Sequence, residues 1–157
     1  PACVLCPKGK FAASRTACEE CEAGTYAASE GLSQCTLCPY PLGSGSGDVT
    51  CSICKEGFYL RDATADGLFR KPTDYCKPCP THASCSPGTT LASLGVDAGY
   101  WRASNSSTVL YECGPFGGES DQRSGKTRCT GGSEAGGNGD GYCETDFIGP
   151  ECQLCTD

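Results

Sequence analysis

Sixteen cysteines in 157 residues carry most of the chemistry open to this chain. Twelve fall in Cys-x-x-Cys pairs: Cys3/Cys6, Cys18/Cys21, Cys35/Cys38, Cys51/Cys54, Cys76/Cys79 and, at the end, Cys152/Cys155. Thiols so spaced ligate zinc in Cys₄ sets, exchange electrons as a thioredoxin-like pair, or oxidise to structural cystines. The redox use needs one exposed pair opening a helix in a βαβ context, and no pair here has that setting. Zinc fits less well than cystine, because the count is even and Cys85, Cys113, Cys129 and Cys143 stand outside any pair. A zinc-binding adaptor is the third reading; unfolding by a chelator without reductant identifies it.

The remaining candidate residues are few. His82, the single histidine, lies in the short Cys79–Cys85 loop with no triad or base pocket to serve, and is expected to face solvent. Asn138, Asp140 and Glu144 make an oxygen-rich stretch that is a candidate calcium loop, but it lacks EF-hand spacing, and a solvated acidic loop is favoured. Tyr100, Trp101 and Tyr111 are the candidate interaction residues, with cover for a small hairpin core as the plainer role of Trp101. Asn105-Ser106-Ser107 is the only N-glycosylation sequon. No catalytic residue is assigned, and the chain is expected not to be an enzyme.

These residues must be positioned by something other than an ordinary core. Leu, Ile, Val and Phe together number 21, a share at which a chain stays disordered unless cross-linked. Disulfides supply the order, each loop of about 15 residues contributing about 3 kcal/mol, and such density persists only in oxidising surroundings. The expected location is therefore extracellular or at a cell surface. A net charge of −7 with 12 scattered basic residues argues against nucleic acid, and no apolar run is long enough to insert in a membrane. The start at Pro1 and the cysteine pairs at both ends suggest one stretch of a longer modular protein.

The pairs belong to a repeat, Cys-x-x-Cys-x-x-Gly-x-aromatic. It reads as Cys3 to Phe11, Cys18 to Tyr26 and Cys51 to Tyr59, with a degenerate copy at Cys35/Cys38 where Pro39-Tyr40-Pro41-Leu42-Gly43 follows. The glycine fits a turn of positive φ and the aromatic covers a neighbouring bridge. Intervening stretches of 11 to 13 residues leave room only for short two-stranded pieces. The expected fold is thus small and disulfide-rich, built of β-hairpins and loops, with little helix, and drawn out as a tandem-repeat rod. Three segments are expected: repeats over 1–79, a short EGF-like fragment with a Trp-containing hairpin over 80–112, and a glycine-rich loop with an EGF-like module over 113–157. In the hairpin, Tyr100–Ala103 and Thr108–Tyr111 flank a four-residue turn at Ser104–Ser107, and Gly114–Gly141 reads as a long loop.

Spacing favours local bridges that join the second cysteine of each pair to the first of the next: Cys6–Cys18, Cys21–Cys35, Cys38–Cys51 and Cys54–Cys76. The tiling continues as Cys79–Cys85, Cys113–Cys129 and Cys143–Cys152, and leaves Cys3 and Cys155 for neighbouring modules. An interlaced scheme, with Cys3 bound to Cys18 and Cys6 to Cys21, is the rival.

The repeat over residues 3 to 59 resembles the ephrin-receptor-like and tumour-necrosis-factor-receptor-like cysteine-rich repeats of extracellular proteins. The Cys76–Cys85 and Cys143–Cys155 segments resemble pieces of EGF-like and laminin-EGF-like modules. Gly99-Tyr100-Trp101-Arg102, Tyr111-Glu112-Cys113, Cys129-Thr130-Gly131-Gly132 and Gly149-Pro150-Glu151-Cys152 look like a pattern in large surface proteins of algae and other protists. The resemblance implies an extracellular disulfide module and carries no ligand-binding residue. The expected function is a structural segment of an extracellular glycoprotein: a spacer, an adhesive stalk or a filament subunit. Its partners are then copies of itself, neighbouring modules, or other extracellular proteins and glycans. A receptor ectodomain that binds a protein ligand is the alternative.

Overall fold

A loop of a dozen residues tied at its base by a disulfide has room to fold back once. In the computed structural model, which describes residues 5–62, 64, 67–114 and 127–156, that is what the chain does repeatedly. Seven strand pairs form among the described residues, each between strands consecutive along the chain. They are β1 (Lys10–Ala12) with β2 (Cys18–Glu20), β3 (Thr25–Tyr26) with β4 (Thr36–Leu37), β5 (Leu42–Gly43) with β6 (Ile53–Cys54), and β7 (Phe58–Leu60) with β8 (Cys76–Pro78). Then come β9 (Ala83–Ser84) with β10 (Gly95–Val96), β11 (Tyr100–Trp101) with β12 (Tyr111–Glu112), and β13 (Phe147–Ile148) with β14 (Leu154–Cys155). Among the described residues helix is confined to the single turn Pro72–Tyr75 and the 3₁₀ segments Asp140–Tyr142 and Pro150–Cys152. The fold is the small, disulfide-rich, hairpin-and-loop class that the composition predicts.

Each hairpin is entered through one turn, and the turn explains the glycine of the repeat. Lys10 N donates to Pro7 O at 3.1 Å, Thr25 N to Glu22 O at 3.0 Å and Phe58 N to Lys55 O at 3.1 Å. The third residue of each turn is Gly9, Gly24 or Gly57, at φ between 80° and 86°. That is left-handed backbone, which L side chains occupy at a cost of roughly 1–2 kcal/mol. In the degenerate copy Pro41 takes this place, and the turn still closes from Leu42 N to Pro39 O at 2.8 Å.

The same device continues where the sequence shows no glycine. Ala83 N bonds Pro80 O at 3.2 Å with His82 at φ 64°, and Phe147 N bonds Glu144 O at 3.1 Å with Asp146 at φ 73°. His82 and Asp146 each lie three residues after a cysteine, as Gly9 does. His and Asp are among the few side chains that tolerate this region, so the repeat runs on into the second half of the chain in a form that a glycine search misses.

Two compact units result, residues Pro1–Lys77 with Ser86–Thr89 and residues Pro78–Cys85 with Thr90–Asp157. In the first, backbone hydrogen bonds hand each repeat to the next. Cys21 N donates to Gly9 O at 2.9 Å and Cys38 N to Gly24 O at 3.0 Å, while after Pro41 the donor slips one residue, to Lys55 N at 3.0 Å. In return Gly31 N bonds Cys6 O, Gly47 N bonds Cys21 O and Gly88 N bonds Cys54 O, at 2.8, 2.8 and 2.9 Å, all three glycines at positive φ. The core of this unit is largely sulfur: Cys38, Cys51, Cys54 and Cys76 pack with Leu42 and Leu60, flanked by Tyr26, Phe58, Leu68 and Tyr75.

In the second unit, Val96, Trp101, Tyr142 and Ala135 pack around Cys113, Cys129 and Cys152. The long loop expected over Gly114–Gly141 holds, in its described part, 127–141, no strand or helix before the 3₁₀ segment at Asp140, yet it is pinned to its surroundings. Cys129 bridges to Cys143 and Gly132 to Val96 in isolated ladder contacts, and Tyr142 is fully buried. The glycines allow close approach rather than slack. A Cβ on Gly139 would meet the Arg102 carbonyl and the Trp101 indole, and one on Gly141 the Glu134 carbonyl. Residues 115–126 of that loop lie outside the described residues.

Candidate functional site

Among the described residues there are seven disulfides: Cys6–Cys18, Cys21–Cys35, Cys38–Cys51, Cys54–Cys76, Cys79–Cys85, Cys113–Cys129 and Cys143–Cys152. Their Cα atoms stand 5.4 to 6.3 Å apart, within the range a cystine spans without moving the backbone. In the second unit the Sγ atoms of Cys129 and Cys152 lie 3.4 Å apart, so two bridges meet at the centre of that core. Cys155, in β14 opposite Phe147, is an exposed free thiol. Cys3 lies outside the described residues. Among the described residues no group of three His, Cys, Asp or Glu side chains is arranged to hold a metal ion.

The expected Trp-containing hairpin exists but is shorter than its sequence suggests. A four-residue turn would pair Ala103 with Thr108; instead Trp101 pairs Tyr111, Tyr100 pairs Glu112, and the ladder stops there. Arg102 is the reason. It leaves the ladder and runs inward, with no part of it exposed. All five of its N–H donors are used. Nε bonds the Tyr142 hydroxyl at 2.5 Å; Nη1 bonds Leu91 O at 2.9 Å and Ser107 O at 3.3 Å; Nη2 bonds Ala92 O at 3.1 Å and Leu94 O at 3.4 Å. No carboxylate joins the set: among the described residues Arg102 makes no ion pair. A buried cation is held by neutral oxygens alone, and in exchange it ties segment 91–94, the 104–107 turn and Tyr142 to one point.

The three candidate interaction residues part company here. Trp101 is buried at 5% exposure, its ring 6.0 Å from that of Tyr111, and its indole N–H meets no acceptor among the described residues. It is core, not contact surface. Tyr111 is 46% exposed, while Tyr100 is half-buried and stacks on the His82 ring, centroids 3.9 Å apart and planes 9° from parallel. His82 is itself exposed, as expected of a turn residue. Asn105 is exposed at the tip of the turn closed by Ser107 N to Ser104 O at 3.2 Å. The oxygen-rich stretch does not converge on a cation: Asp140 Oδ1 accepts from Gly149 N at 2.7 Å, pinning the 3₁₀ segment to the next turn.

The first unit carries a shallow groove lined by Leu37, Ile53 and Pro87, with Ser44, Lys55 and Glu56 at its polar positions. Ser44 is already committed, since its hydroxyl donates to Thr25 O at 2.7 Å and accepts from Gly24 N at 3.1 Å. With one cation, one carboxylate and no imidazole, this lining assembles no nucleophile and base. Sequence reasoning placed Arg102 only within the Gly99–Arg102 motif, with no role of its own, and did not single out Tyr142. Their only advance signal was an arginine next to the lone tryptophan in a β-favouring run, which reads equally well as a solvent-facing residue.

The cysteine-rich repeat has counterparts among known proteins. Residues 9–44 match the family model described as tyrosine-protein kinase ephrin type A/B receptor-like. Over 92 residues, 59% of its length, the chain is 32% identical to ephrin type-B receptor 2 of Coturnix japonica, and 30% identical over the same length to ephrin type-B receptor 2 of Gallus gallus. The chain spans about 8% of the length of these relatives. Together with the bridges, the match makes the chain similar to an ephrin-receptor-like cysteine-rich module and points to an extracellular or cell-surface location.

Proposed function

We propose that the chain is a non-catalytic spacer within an extracellular glycoprotein, a disulfide-held stretch that sets distance between the parts it joins. The observation that carries this reading is the hand-over of backbone hydrogen bonds and bridges in the first unit. Each repeat is tied to the next by one cystine and two or more main-chain bonds, so load applied along the chain passes through covalent and paired backbone links rather than through a soft core. Neighbouring modules of the same protein, or further copies of it, are the partners such a spacer serves.

Electron microscopy of the purified protein tests the reading. Extended particles or end-to-end strings are the expected result; uniformly round particles refute it. Receptor ectodomain is the second reading, favoured by the ephrin type-B receptor 2 similarity and by the exposed Tyr111 and Val109 beside the second-unit hairpin. A soluble one-to-one complex with a protein ligand, lost on Tyr111→Ala, establishes it in place of the first.

A further inference from the structure

We propose that Asn105 is an N-glycosylation site and that the turn bearing it faces open solvent in the assembled protein. The inference rests on the extracellular reading, because the modifying enzyme works in the secretory pathway. Asn105-Ser106-Ser107 is the single sequon of the chain, and the motif alone is common. The fold supplies the rest. Asn105 is exposed, and among the described residues no hydrogen bond engages its carboxamide. Its neighbours, in contrast, are all occupied. Ser104 Oγ and Ser106 Oγ lie 2.9 Å apart, and Ser107 Oγ accepts from Val109 N at 3.1 Å. Ser107 N bonds Ser104 O, and Ser107 O accepts from the buried Arg102. The turn is therefore anchored from below by a guanidinium while its tip residue is left without a structural task, so a large substituent on Nδ2 displaces no contact of the fold.

The donor is a lipid-linked oligosaccharide diphosphate. The amide nitrogen of Asn105 forms a bond to the anomeric carbon of the first sugar, and the bond from that carbon to the diphosphate oxygen breaks. The lipid diphosphate leaves with the electron pair, one amide proton passes to a base of the transferase, and nothing is oxidised or reduced. A branched, hydrated glycan on this turn prevents a neighbouring module from packing against it.

The test is secretion of the full chain, behind a cleavable signal sequence, from cultured animal cells. The expected product is heavier than the 16.2 kDa chain, returns to that mass with peptide-N-glycosidase, and then reads Asp in place of Asn105 in the peptide map. Asn105→Gln and, separately, Ser107→Ala lose the added mass; Ser107→Thr keeps it. A secreted, fully bridged product that is bare at Asn105 overturns the site, as does Asn105→Gln that keeps the glycan mass. Failure of the extracellular reading looks different: protein taken from its natural source under thiol-blocking conditions would carry free thiols at the bridge cysteines. The site itself is judged on the secreted product.

Discussion

Replacing Arg102 probes the second unit at its centre. The guanidinium uses five donors on five neutral acceptors, the Tyr142 hydroxyl and the carbonyls of Leu91, Ala92, Leu94 and Ser107. Arg102→Lys keeps the charge but offers three donors from a single atom, so at least two of those acceptors lose their partner. A buried polar group left unpaired costs about 1–3 kcal/mol. Allowing one orphan to recover a water, the expected loss for Arg102→Lys is about 1–3 kcal/mol, and Arg102→Met, which orphans all five, loses more, about 4 kcal/mol or above. Tyr142→Phe removes one acceptor and keeps the packing, with an expected loss of about 1–2 kcal/mol. Urea unfolding with the bridges intact is the assay. The fluorescence of Trp101, the only tryptophan and a member of the same core, reports the second unit and not the first. Arg102→Lys within about 0.5 kcal/mol of the parent, the range of an ordinary surface change, would refute the account of Arg102 as the tie of this unit.

Three further outcomes are expected. Gly9 and Gly24 occupy the same place in the repeat, at φ 80° and 86°, but a Cβ on Gly9 would run into the Gly47 carbonyl while one on Gly24 meets nothing within 4 Å. Gly24→Ala should cost about 1–2 kcal/mol for its backbone strain, Gly9→Ala about 1–3 kcal/mol beyond that for the collision, and equal losses in thermal melts contradict the packing described. Removing Cys54–Cys76, which closes a span of 22 residues, should cost about 3 kcal/mol in loop entropy and removing Cys79–Cys85, a span of 6, about 2 kcal/mol; paired Cys→Ala variants compared in denaturant should keep that order, and the reverse order counts against loop closure as the source. Thr64 N and Oγ1 bond the Asp62 carboxylate at 3.0 and 2.8 Å and hold it below its ordinary value of 3.8, with the Arg61 charge adding to the effect. A lowered folded-state value means that the turn gains stability above the unfolded value and loses it as pH falls through the folded one. An NMR titration of the Asp62 carboxyl should therefore show a midpoint below 3.8, and one at or above 3.8 removes the turn's claim.

Much of this architecture is legible in cysteine spacing because a disulfide acts over a short reach. When the bridge cysteines stand a dozen residues apart, the loop has few ways to close, and a hairpin is the economical one. The glycines of the repeat are legible for a related reason: Gly9, Gly24 and Gly57 answer a local demand for left-handed backbone. His82 and Asp146 answer the same demand with side chains, which is why the later turns were hidden.

Class, location and local turns were thus set by the chain itself, through bond geometry and redox chemistry that act between near neighbours. The tertiary structure alone decided the roles that depend on distant contacts. Trp101 became core and Tyr111 surface because their hairpin stops where Arg102 turns inward, and Arg102 turns inward because carbonyls 91, 92 and 94 and the hydroxyl of Tyr142, 40 residues away, converge on it. Gly139, which reads in sequence as one residue of a long loop, gives clearance for the Trp101 indole. The partner of a buried donor lies wherever the folded chain brings an oxygen, and local spacing carries no record of that.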